Sequence, residues 1–339
     1  MLRAACSLLC LLAVALPAAA QAKRVEIPIK QTVLQDDLVH YSVDVTVGGV
    51  PVEVMLDSGS VGLRLLPSAV PAAAVRKAKE QSVYSYGIGL QISGPFAKAT
   101  VGVGGLETTA DVYVQAIERI GCIERRPNCP GNKVSINKFR LGGRAVPDQG
   151  YLAIMGVGLR GAGVANPLAN IGDGAWIITL PRPGSASPGS LVLNPTAEDR
   201  AGYTLFKLQR QVAQTPVGKI EGWEDVLPGC LLDIAANRQV CAPAMLDTGL
   251  FNILIRADDP KAREGWKPGV QAALVFNGPG DPIRTAPFKI NSDPVTRVFT
   301  SEPAGGEPQR LMMGTLPYFS FSVLYDARAG TIGLKRRTG

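Results

Sequence analysis

Two segments of this chain repeat one pattern, and that repeat restricts the possible folds more than any other feature. The first is an apolar run ending in Asp57, Ser58 and Gly59 (VEVMLDSG), with Ala153–Gly156 (AIMG) well downstream. The second is Met245–Gly249 (MLDTG), with Leu311–Gly314 (LMMG) after it. An Asp-Ser/Thr-Gly triplet suits a strand end, because glycine turns where a Cβ would clash and the small hydroxyl bonds neighbouring backbone. One such triplet carries little weight, since composition alone produces it in about one chain in five or ten. Two, each after an apolar strand and each answered by an apolar-apolar-Gly segment, predict two similar lobes. The low-propensity stretch Pro181–Ser190 (PRPGSASPGS) separates the copies, placing one lobe over residues 23–180 and the other over 181–339.

Punctuation along the chain fixes the class. Runs such as VHYSVDVTVGGVPVEVML, KATVGVGGLETTADVYVQ and YFSFSVLYDARAGTIGLK alternate β-formers with Gly, Pro and Asn, so the architecture reads as mainly antiparallel β. Short helical stretches are expected at Ala72–Glu80, near Asn166–Ile171 and at Asp259–Glu264. The 38 Gly and 26 Pro among 339 residues mark a chain rich in turns but short of the composition of disorder.

Residues 1–22 read as a secretory leader, with Arg3, an apolar run from Ala4 to Leu16, Pro17 and a small-residue end at AAAQA. The run is too short to span a bilayer, so an exported protein, periplasmic or secreted and free of the membrane after leader removal, is expected. Cys6 and Cys10 fall in the leader, leaving Cys122, Cys129, Cys230 and Cys241. Four cysteines allow three pairings; in an oxidising compartment two disulfides are expected, with the local pairs Cys122–Cys129 and Cys230–Cys241 favoured. The net charge of +7 is scattered. Its one loose cluster, around Arg125, Arg126, Lys133 and Arg140, has no interleaved aromatics to stack bases, so a solvated surface and no nucleic-acid partner are expected.

Taken in order, VEVMLDSGSVGL, SYGIGLQISG, GYLAIMGVGL, MLDTG and the closing LMMGTLPYFSFSVLYDARAGTIGLK resemble the landmarks of the pepsin-like aspartic peptidases over nearly the whole chain after the leader. The resemblance implies an all-β, two-lobed pepsin-like acid protease fold: double β-barrel-like lobes, a central cleft and a hairpin flap. It implies a catalytic pair, Asp57 and Asp247, supported by Ser58, Gly59, Ser60, Thr248 and Gly249, with Tyr86 and Gly87 on the flap. Two carboxyls so placed share a proton, one accepting from a water that attacks the peptide carbonyl while the other donates to the oxyanion. The expected substrate is an extended polypeptide lying as an added strand, the expected state a monomer, and no cofactor or metal is called for.

The pattern departs from the family in three places. Leu250 stands where a hydroxyl usually follows the second triplet, which removes a donor to the charged form of Asp247 and should raise its pKa. Arg64 stands where the family has a tryptophan behind the flap tyrosine. No propeptide of the usual length separates the leader from the first strand, and Val25–Ile29 (VEIPI) reads instead as a strand joining the lobes. These departures also motivate a second function class, a pepsin-fold protein without catalysis that holds a peptide, glycan or enzyme in its cleft. GVGLRG at Gly156–Gly161 fits a dinucleotide fingerprint, but AGVANP rather than a helix follows and no acid stands at the expected distance, so a nucleotide site is set aside. His40, the single histidine, reads as a surface residue before a strand, which disfavours Ser-His-Asp and zinc chemistry.

Overall fold

The computed structural model describes residues 22–34, 38–304 and 306–338; the expected leader, Ala22 apart, lies outside them. The chain is a succession of short, mostly antiparallel strands arranged as two lobes that share a central sheet. That sheet runs in the order Val25–Val33, Gly189–Leu193, Ala175–Thr179, Phe321–Asp326, Thr331–Arg336 and Thr204–Lys207, so both halves of the sequence build it. The strand Val25–Val33 does join two units: residues 25–29 pair with Gly189–Leu193, and residues 30–33 pair with Val39–Val47 of the first lobe.

The repeat reappears as topology. In the first lobe Ala153–Val157 lies parallel to Val50–Asp57 and antiparallel to Val61–Leu65, so that Gly156 sits opposite both Asp57 and Gly62. In the second, Arg310–Met312 lies parallel to Arg238–Met245 and antiparallel to Ile253–Arg256. Each apolar-apolar-Gly segment is therefore the strand that wedges between the two arms of an Asp-bearing loop. Gly156 has a steric reason: a Cβ there would lie 2.5 Å from the Val61 nitrogen and 2.7 Å from Ser60 Oγ.

One continuous apolar core runs through both lobes, from Val54, Leu63 and Met155 through Trp176 and Leu191 to Leu231, Leu274 and Met313. Trp176 is fully buried and stacks on Tyr325 with ring centroids 5.5 Å apart. Both disulfides join the local pairs, Cys122 with Cys129 and Cys230 with Cys241, the latter directly across an antiparallel ladder. No helix among the described residues is long and apolar enough to cross a membrane.

Two expectations need correction. Ala72–Glu80 is not a helix: one 3₁₀ turn at Ala72–Ala74 leads into the long strand Arg76–Ser85, which pairs with Leu90–Ala99. Helix propensity of the Ala-Lys run is overridden by tertiary pairing, as happens wherever a strong partner strand is present. His40 is not a surface residue but is 2% exposed, because its strand packs it edge-on against Phe251 of the opposite lobe at 4.6 Å.

Truncating the stacked tryptophan, Trp176→Ala, should cost about 3–5 kcal/mol by cavity formation in the shared sheet. Denaturant titration should show the loss as one cooperative transition at a lower midpoint.

Candidate active site

Both Asp-bearing loops end strands of the core, and they meet back to back in mid-molecule. Ser58 and Thr248, equivalent in the repeat, brace each loop against the other. Thr248 Oγ1 donates to Leu56 O at 2.7 Å and accepts from the Ser58 amide at 3.0 Å. Ser58 Oγ donates to Leu246 O at 3.0 Å and accepts from the Thr248 amide at 2.9 Å. Ser58 Oγ also accepts from Tyr318 Oη at 2.8 Å, and Tyr318 is in turn 2.6 Å from Tyr325 Oη. All these groups are buried, so each bond lost would strand a polar atom away from water.

The brace sets the carboxyls side by side. Asp57 and Asp247 are 4% and 8% exposed, and each carboxyl lies against the glycine of the opposite loop, so that the field of Asp57 acts on Asp247. Gly59 and Gly249 make the approach possible: a Cβ on Gly59 would fall 2.2 Å from Asp247 Cγ, and one on Gly249 would fall 2.8 Å from Asp57 Oδ1. Each glycine also donates its amide to its own aspartate, at 2.8 Å for Gly59 and 2.9 Å for Gly249.

The two carboxyls differ in their outer partners. Asp57 Oδ2 accepts a hydrogen bond from Ser60 Oγ at 2.5 Å, whereas Leu250 supplies no hydroxyl to Asp247. Burial first, and the field of Asp57 second, push the Asp247 carboxyl well above the usual carboxylate range. The Gly249 amide opposes the shift, as does the guanidinium of Arg160.

The flap is the hairpin of Arg76–Ser85 and Leu90–Ala99, turning at Tyr86–Gly89. Gly87 lies exposed at its tip, where its carbonyl accepts from Arg126. Tyr86 is half-buried, its ring 4.8 Å from that of Tyr84 and its hydroxyl enclosed without a partner. Tyr84, two residues back on the same strand face, lies over Arg64, whose guanidinium carbon is 3.8 Å from the ring centroid. Arg64 thus backs the flap as a cation on the π face of Tyr84. The loop closed by Cys122–Cys129 holds the flap tip: the Ile123 amide donates to Gly89 O at 2.9 Å, and Arg125 reaches the opposite lobe at Glu307 and Ala304 O.

Of the residues singled out in the sequence, the structure brings together Asp57, Asp247, Gly59, Gly249, Ser58, Ser60 and Thr248. Sequence reasoning missed Tyr84, Arg160, Asp225 and Tyr318. Arg160 donates to Gly59 O at 2.6 Å and pairs with buried Asp225 at 3.4 Å, next to the dyad. The one signal for it was a charge inside the otherwise apolar GVGLRG. The structure follows that segment with a single 3₁₀ turn at Pro167–Asn170, not a nucleotide-binding helix. Among the described residues no group of His, Cys, Asp and Glu is arranged to hold a metal ion.

The fold is the two-lobed one of pepsin-like aspartic proteinases. No family model matches the chain, and no curated protein matches it in sequence. Solved structures do match, among them the crystal structure of the aspartic proteinase from Irpex lacteus, with a TM-score of 0.58 over 93% of this chain and 98% of that one. Sequence identity across that match is 13%, so the likeness carries the fold and leaves the chemistry to the residues at the site.

Replacing Thr248 with Val should destabilise the protein by about 2–4 kcal/mol, since it orphans the Leu56 carbonyl and the Ser58 amide at once. Pairing it with Ser58→Ala should cost less than the sum, in a double-mutant cycle read by chemical denaturation. The raised pKa of Asp247 gives a second expectation. Below the unfolded value of about 3.9 both states hold the proton; above it the folded state keeps a proton that the unfolded state has released, so this group's contribution to stability falls as pH rises toward the folded pKa. Asp247→Asn removes the loss, and its stability relative to wild type should climb between pH 3 and pH 7 in parallel thermal melts.

Proposed function

We propose that the chain is an aspartic-type endopeptidase that hydrolyses peptide bonds of extended polypeptides. The observation that carries this reading is the pair of buried, adjacent carboxyls, each fixed by its own glycine amide and cross-braced by Ser58 and Thr248. In the resting pair Asp247 holds the shared proton: Asp57 accepts two hydrogen bonds, Asp247 accepts one, and burial disfavours its charge. Asp57 takes a proton from a water placed between the two, the resulting hydroxide adds to the peptide carbonyl carbon, and Asp247 donates to the oxygen that gains the negative charge. The Asp57 proton then passes to the leaving amine as the C–N bond breaks, and one hydroxyl of the intermediate returns its proton to Asp247 as the carboxylic acid forms.

Exposed backbone along the flap offers an edge on which an extended substrate would pair as a strand, a mode that suits a polypeptide better than a compact metabolite. The two disulfides fit an oxidising compartment, and export to periplasm or medium completes the proposal. Leu250 beside Asp247 favours a second reading, a pepsin-fold protein that binds in its cleft without turnover.

Cleavage of an unfolded protein between pH 3 and 7, with and without pepstatin, decides between the two. Turnover by wild type and its loss by a factor of about 10³ or more in a folded Asp57→Asn protein is the peptidase result; no turnover by a folded wild type is the binder result. Leu250→Ser restores a donor to ionised Asp247 and should move the alkaline limb of the kcat/KM profile to lower pH.

A further inference from the structure

A cavity of about 630 Å³ opens beside the dyad, beneath the flap strand and between the lobes. Val61, Val83, Phe96 and Val164 form apolar walls, and Gln214 and Pro216 close it from the second lobe. Two guanidinium groups line it, those of Arg64 and Arg160, and no acidic residue does.

Arg64 is the anomaly. It is 2% exposed, yet no carboxylate among the described residues pairs with it. Its Nη1 donates to Val61 O at 2.7 Å and Gly62 O at 3.1 Å, its flat face rests on Tyr84, and its Nε has no partner. A buried cation left without an anion is costly, and such groups persist where a ligand completes them. Arg160 is paired with Asp225, which leaves Arg64 as the unpaired cation of the cavity wall. One charge calls for one monoanion. Apolar walls around a fixed cation and polar Gln214 suit an alkyl stem ending in a carboxylate.

We propose that this cavity is a carboxylate-binding subsite, so that the peptidase, on the reading given above, selects an acidic side chain or a free chain terminus next to the bond it cuts. Its place beside the dyad follows from Arg160, whose guanidinium both faces the cavity and bonds the Gly59 carbonyl between the two aspartates. The carboxylate lies against the open edge of the Arg64 guanidinium and within reach of Arg160, as a charge-assisted hydrogen bond in a dry setting. Tyr84 transmits the event: its ring forms the lid over Arg64, so a bound carboxylate holds the flap strand down.

The test measures binding and needs no turnover. Asp57→Asn protein is titrated by calorimetry with apolar heptapeptides that carry Glu or Gln at each position in turn, each made with a free or an amidated terminus. At one position Glu should bind about tenfold or more tighter than Gln, and added salt should shrink the ratio. A preference for free acid over amide, in place of Glu over Gln, assigns the subsite to a chain terminus. Arg64→Gln should bring the ratio close to one. If that protein does not fold, the paired change Arg160→Met with Asp225→Leu, which leaves no stranded charge, should reduce the ratio instead. Equal affinity of the acidic and neutral peptides, or binding by none of them, overturns the subsite. Absence of turnover by wild type with an intact Glu preference overturns only the peptidase reading.

Discussion

Four hydrogen bonds between Ser58 and Thr248 and the opposing backbone hold this molecule's two halves in register. They are reciprocal, since each hydroxyl donates to a carbonyl of the other loop and accepts from the other's amide. Neither lobe can satisfy these groups alone, so the buried polar chemistry that makes each strand end unstable by itself makes the pair stable together. The separation of Asp57 and Asp247 is a consequence of that brace. The apolar-apolar-Gly strands hold it from behind, and Tyr318 and Tyr325 extend it into the shared sheet.

Symmetry ends at the carboxyl groups. Ser60 bonds Asp57 while Leu250 leaves Asp247 with its amide alone, and burial raises the pKa of the Asp247 carboxyl. Cations gather on the same side: Arg160 is anchored to the loop between the aspartates, and Arg64 underlies the flap. The Arg64 guanidinium gives the Tyr84 ring a flat support while adding a charge that no carboxylate among the described residues pairs with.

The fold was legible because it is written twice. MLDSG and MLDTG, each answered by an apolar pair and a glycine, predicted two similar lobes and singled out Asp57 and Asp247 as a pair. Local spacing also favoured the disulfide pairs that the structure contains. What could not be read was long-range partnership. His40 looked exposed until Phe251, over two hundred positions away, covered it, and Arg76–Ser85 became a strand only because Leu90–Ala99 pairs with it. Arg160 and Asp225 each look like ordinary surface charges in sequence. Their meaning arises only when the chain returns Glu224 and Asp225 to the loop after Val157.

The central claim is that Asp57 and Asp247 hold a single proton between them, and carbon-13 NMR titration of carboxyl-labelled aspartate reads it directly. One resonance, removed by Asp247→Asn, should remain protonated well above the ordinary carboxylate value of about 3.9, and should titrate at lower pH once Asp57 is replaced by Asn. Two carboxyls that titrate independently near that ordinary value, unmoved by each other's replacement, would contradict it.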